Sequence, residues 1–145
     1  MRETLRISAR ADYAIRATAA IAAVPAGELM TADALSAAQD IPLRFLLVIL
    51  NNLRQAGIVD SRRGHGGGYR LARPVDQLTL AEIIAAVDVT PTRPQWAPDS
   101  PDAAPESPTT ARVHALWSSL RTSLQDTLER TTIADVLAGS RPTFD

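Results

Sequence analysis

One stretch, from Ile58 to Arg73, narrows the fold of this chain more than any other. Two short apolar runs, Ile58-Val59 and Tyr69 with Leu71, flank a tip of arginines and four glycines, Arg62-Arg63-Gly64-His65-Gly66-Gly67-Gly68. Apolar runs bounded by glycine read as a β-hairpin whose turn needs positive φ and room for a close approach. The arginines at Arg62, Arg63, Arg70 and Arg73 point to a polyanion as the partner. Alternating Gly64, Gly66 and Gly68 do not make a dinucleotide loop, because the full glycine spacing is missing and a strand, not a helix, follows.

Helical patterns stand on both sides of the hairpin. Ser8 is an N-cap for a helix to about Ala23, with Ala11, Ala14, Ile15, Thr18, Ile21 and Ala22 at spacings of three and four. Thr31 opens a second helix to about Gln39, and Asp40-Ile41-Pro42 turns the chain. A third helix spans about Pro42 to Gln55, striped by Leu46, Ile49, Leu50 and Leu53 and stopped at Ala56-Gly57. Helix, turn, helix and basic hairpin together predict a winged helix-turn-helix. Thr79 then caps a short helix, Leu80 to about Val87.

From residue 88 to 108 the character changes: six of the ten prolines fall there, with acids and serines, and an irregular loop is expected. A long helix follows, about Thr109 to Arg130, striped by Val113, Leu116, Trp117, Leu120, Leu124 and Leu128. So small a domain can hardly cover a rod of that length, so a partner is expected along Val113, Trp117, Leu120 and Leu124. Thr132 and Asp135 resemble a capping box for a last helix, Ile133 to Ala138. The expected architecture is mainly α with a small β-hairpin wing: a winged helix-turn-helix over 1–87, a proline-rich loop over 88–108, and a dimerisation helix with a short C-terminal helix over 109–145.

Composition removes several function classes. There is no cysteine, so disulfides, thiolate metal sites and cysteine-ligated iron–sulfur clusters are excluded. No cofactor or metal is expected. The two histidines, His65 and His114, lie far apart and form no catalytic set with a nucleophile and an acid, which argues against an enzyme. No apolar run approaches the roughly 20 residues of a membrane span, and Met1 to Arg6 lack a secretion-signal core; a cytoplasmic protein is expected. All fifteen basic residues are arginine, which leaves every phosphate contact to a guanidinium fork. The net charge of −1 conceals a division: residues 1–75 carry ten arginines against six acids, and residues 76–145 five against ten. One half is suited to DNA, the other to a partner subunit.

The order of elements and several local runs resemble the IscR–NsrR–CymR type of bacterial regulators, the Rrf2 family. The matching runs are Asp12-Tyr13-Ala14-Ile15-Arg16-Ala17, Ile41-Pro42-Leu43-Arg44-Phe45-Leu46, Ile49 through Val59, Arg63 through Arg73, and Leu78 through Val87. The likeness is close over about residues 5–90 and rests on layout alone in the long helix. It implies a homodimeric, sequence-specific transcription factor whose long helices cross at the interface. Many relatives sense iron–sulfur, nitric oxide or redox state through three cysteines in the loop before that helix; this chain has none. An acidic ligand on the first helix of some relatives matches Asp12, which cannot hold a cluster alone. Family members often carry an acid where Leu47 stands, so a different operator preference is implied.

Within this frame the third helix enters the major groove, and Arg44 and Phe45 lie at its leading end. Arg44 is the strong hydrogen-bonding side chain there, for guanine or phosphate. Asn51, Asn52 and Arg54 are expected on phosphate or plain surface. Arg62, Arg63 and His65 at the wing tip, with Arg70 beside them, suit phosphate or the minor groove. Trp96 either pins the loop or caps an effector pocket with Asp12, Tyr13 and Arg16. The leading function is a DNA-binding regulator, a repressor acting as a dimer on an inverted repeat of double-stranded DNA. The alternative is a dimeric interaction or ligand-sensing module defined by a protein or small-molecule effector.

Overall fold

The computed structural model describes residues 8–88 and 107–142. Helix α1 (Ala9–Ala22) starts where the Ser8 hydroxyl accepts a hydrogen bond from the Ala11 amide at 3.1 Å. Its inward face is built of small side chains, Ala11, Ala14, Ala17 and Thr18, with Ile21. The one buried hydroxyl on that face, Thr18, donates to the Ala14 carbonyl at 2.7 Å and so carries no unmet polar group inward.

Helix α2 (Ala32–Gln39) is capped by Thr31 and buries Leu35. It ends at Asp40, whose φ of 51° is left-handed, a conformation that aspartate tolerates better than most side chains. Ser36 then donates to the Ile41 carbonyl at 2.6 Å while the Ile41 amide returns to Ser36 O at 3.1 Å. With Ile41 itself buried, the turn into the next helix is fixed at both backbone and side chain. Arg16 of α1 adds a bond to the Gln39 carbonyl at 2.8 Å, satisfying an exposed end of α2. Helix α3 (Leu43–Gln55) begins one residue later than expected, with Pro42 as its N-cap, and buries Leu46, Ile49, Leu50 and Leu53.

Strands β1 (Val59–Arg62) and β2 (Gly68–Leu71) pair antiparallel, Val59 with Leu71 and Arg62 with Gly68. A further rung comes from outside the hairpin. Met30, just before α2, exchanges both backbone hydrogen bonds with Tyr69, at 3.0 and 2.8 Å. Gly68 permits this approach, since a Cβ there would meet the Met30 carbonyl oxygen at 2.8 Å. The close approach expected of the wing glycines is therefore, at this position, to the chain's own backbone.

After a single 3-10 turn over Val75–Gln77, helix α4 (Leu80–Val87) opens with a Thr79–Glu82 capping box. Helix α5 (Pro108–Arg130) begins one residue before the predicted start, with Ser107 as N-cap and Pro108 in its first turn. Helix α6 (Ile133–Ala138) carries the second capping box, Thr132 with Asp135, and closes on Gly139. The α6 entry pairs with the α4 entry: Leu80 N reaches Thr131 O, and Ile133 N reaches Leu78 O, each at 2.9 Å. Ile133 is fully buried in the same core as Ala17 of α1, Leu50 of α3 and Ile83 of α4. Aliphatic side chains fill that core, with Tyr13 and Tyr69 at its margin, as an aromatic content of 4% requires.

Candidate nucleic-acid interface

Because α3 turns Leu46, Ile49, Leu50 and Leu53 inward, its opposite side presents Arg44, Phe45, Leu47, Val48 and Asn51 to solvent. The C-terminal half of that side borders a groove of about 370 Å³ lined by Asn51, Arg54, Arg62, Arg63, Tyr69 and Thr31, among others. Three elements thus converge: the start of α2, the end of α3 and the wing. Asn51 Oδ1 accepts from Arg54 Nη2 at 2.9 Å, which orients the guanidinium along the helix surface.

The arginines differ in their surroundings. Arg16 pairs with Asp12, Arg70 with Asp60 and Arg73 with Glu82. Arg44, Arg62 and Arg63 are exposed and have no carboxylate within ion-pair distance among the described residues. A guanidinium left in this state offers its full fork to an incoming phosphate or guanine edge. Along the hairpin, Asp60, Arg62 and Arg70 share one face, since Asp60 stands opposite Arg70 and strand side chains alternate. The Asp60–Arg70 pair is long, 4.0 Å, with both side chains more than half exposed. So loose a pair contributes little and yields readily to a phosphate. His65 sits exposed at the tip, between Gly64 (φ 93°) and Gly66 (φ 76°), the positive φ values that the glycine pattern predicts.

The residues grouped as a candidate effector pocket are engaged with one another. Asp12 Oδ2 lies 3.1 Å from Arg16 Nε, an ion pair whose angle falls short of a hydrogen bond. The Arg16 guanidinium stands 5.1 Å from the centroid of the Tyr13 ring, a cation–π distance. Together with the bond to Gln39, these interactions make Arg16 a latch between α1 and α2. Trp96, the fourth member, lies outside the described residues.

On α5 only Thr127 is buried. Val113, Leu116, Trp117, Leu120 and Leu124, all on one stripe, are between 38% and 56% exposed. Sequence reasoning did not foresee that Thr31 and Tyr69 would share the groove with Arg54. Only the Met30–Tyr69 pairing puts them there, and it joins positions with no local signal between them.

A recognition helix with a cationic hairpin beside it defines a winged helix-turn-helix DNA-binding protein. The family model described as an iron-dependent transcriptional regulator, Rrf2, matches residues 7–139, and the chain belongs to the Rrf2 family. A Mycobacterium tuberculosis protein provisionally named as an HTH-type transcriptional regulator is 41% identical over 140 residues, covering 95% of this chain and 84% of that one. The HTH-type transcriptional regulator IscR of Cereibacter sphaeroides is 30% identical over 135 residues, 92% of this chain and 87% of its own length. The structure of CymR, the global cysteine regulator of B. subtilis, superimposes with a TM-score of 0.77 at 23% identity, covering 94% of this chain and 99% of that one. The protein is a DNA-binding transcriptional regulator. Its donor set does not fit an iron–sulfur cluster: the chain has no thiolate to offer, and no group of three His, Asp or Glu among the described residues is placed to hold a metal. Among the described residues no helix is long and apolar enough to cross a membrane.

Proposed function

We propose that the protein is a homodimeric repressor that binds an inverted DNA repeat in the cytoplasm, with no catalytic role. The observation that carries this reading is a set of exposed arginines that have no carboxylate partner among the described residues: Arg44 on the recognition helix, and Arg62 with Arg63 at the groove between that helix and the wing. Arg44, at the leading end of α3, takes a base edge in the major groove. Arg62 and Arg63 grip phosphate or the adjoining minor groove, and Arg54, Asn51, His65 and Arg70 fix register on the backbone. The apolar stripe of α5, at Val113, Trp117, Leu120 and Leu124, joins two copies so that two recognition helices face successive turns of one duplex. A dimer so placed over a promoter excludes other proteins from the same DNA, which is the physical basis of repression.

Anisotropy titrations across a salt series test the assignment. Replacing Arg62 and Arg63 by Ala should weaken binding to every sequence and flatten the log K against log salt line, by about 0.9 for each phosphate that is no longer neutralised. Arg44→Ala should cost about 1–3 kcal/mol at one operator position. An unchanged salt slope in the wing variant would remove the wing from the interface, and a uniform drop in affinity for Arg44→Ala would place it on phosphate.

A further inference from the structure

Resting on DNA binding through α3, one feature of that helix is left without a use by phosphate contacts and by Arg44. Its outward side is largely hydrocarbon. Leu47 is 46% exposed, Val48 51% and Phe45 59%, while Leu46, Ile49 and Leu50 beside them are at most 2% exposed. Leu47 and Val48 stand three and four residues after Arg44 and before Asn51, so they occupy the middle of the face that Arg44 begins and Asn51 continues. We infer that Leu47 and Val48 read thymine, by packing on its C5-methyl group in the major groove.

A hydrocarbon face has one apolar group to meet there. Every base pair presents donors and acceptors to the major groove, and the thymine methyl is the exception among them. Pressed against guanine, cytosine or adenine, Leu47 and Val48 would strip water from polar atoms and return no hydrogen bond. Against a thymine methyl the same packing removes apolar surface from water on both sides. Charge complementarity commits the patch to nucleic acid rather than to a protein partner. Arg44 stands at one end of it, and at the other Asn51 leads into the groove that Arg54, Arg62 and Arg63 line, so a polyanion is the complementary surface.

The test uses the full chain. A binding site is first selected from random duplex DNA, and each thymine in it is then replaced, one at a time, by deoxyuridine. This removes the methyl and leaves base pairing unchanged. Affinity should fall about threefold to fivefold at one or two thymines of each half-site, the value of one buried methyl, and stay constant at the others. Leu47→Ala and Val48→Ala, both at exposed positions in a helix that favours alanine, should bind the thymine duplex about as weakly as the parent binds the uracil one. Between them they should no longer tell the two duplexes apart. A selected site without thymine under α3, or no uracil-sensitive position, overturns the inference while DNA binding stands. So does equal uracil sensitivity in parent and variants, which would place the effect in DNA shape. Variants that change oligomeric state and leave thymine discrimination intact would reassign the patch to a protein interface. A chain that selects no sequence at all would overturn both this inference and the reading of the α3 face beneath it.

Discussion

Placing a glutamate on the α5 stripe separates assembly from folding, because none of the stripe belongs to the buried core of the single chain. Leu120 is 50% exposed and Leu124 43%, so about half of each side chain is still in water in the single chain. Full burial of a leucine contributes about 1.5–3 kcal/mol; the half that a partner could cover is then about 1 kcal/mol per copy. In the proposed dimer, where two copies meet across a two-fold axis, Leu120→Ala should cost about 2 kcal/mol of dimer stability, which weakens association about 30-fold. Leu120→Glu should do far more, since it buries two like charges, each with a desolvation penalty of several kcal/mol. Sedimentation velocity from nanomolar to tens of micromolar should show the parent at twice the 15.5 kDa chain mass. The glutamate variant should sediment at the chain mass with unchanged far-UV circular dichroism. A parent that sediments as a monomer at micromolar concentration would refute the reasoning. A glutamate variant that stays dimeric would show that the interface lies on another surface.

Gly68→Ala should lower stability by about 1–3 kcal/mol, seen as a fall in Tm, because its Cβ would press on the Met30 carbonyl oxygen at 2.8 Å. The same variant should also bind DNA more weakly, as the wing is displaced from α2; an unchanged Tm would show that the Met30–Tyr69 rung is not held. Thiol oxidants should leave DNA affinity unchanged, since the chain has no cysteine to oxidise. A loss of affinity under a thiol-specific oxidant, with the protein's mass unaltered, would contradict this.

Much of the fold was legible because its signals are local. Thr31, Thr79 and Thr132 announce the helices they cap, and the Leu46, Ile49, Leu50, Leu53 stripe orients α3 before any tertiary contact is known. The hairpin follows from its glycines. What stayed hidden is set by pairing between distant positions. Nothing near Met30 says that it will lie against Tyr69, nor anything near Thr132 that it will pair with Thr79. The first of these closes the groove beside Arg54; the second seats Ile133 in the core. Asp12 and Arg16 are an intermediate case. Their separation of four on a helix is a local signal for the ion pair that the reading as an effector pocket passed over, while the bond from Arg16 to Gln39 depends on where α2 comes to rest. For Arg44, Arg62 and Arg63, sequence supplied the charge, and only the structure showed which arginines have a carboxylate nearby.

Selection of bound sites from a random duplex library by the full chain, followed by footprinting of the enriched sequence, tests the central claim most directly. The convergence of α3 and the wing on one face, doubled in the proposed dimer across the α5 stripe, predicts an inverted repeat. Its half-site centres should lie about 10 base pairs apart or a multiple of that, with two chains bound per duplex, and the enriched site should lose affinity when Arg62 and Arg63 become alanine. A library that returns no enriched motif, or a motif bound equally well after those replacements, would contradict the assignment of this face to DNA.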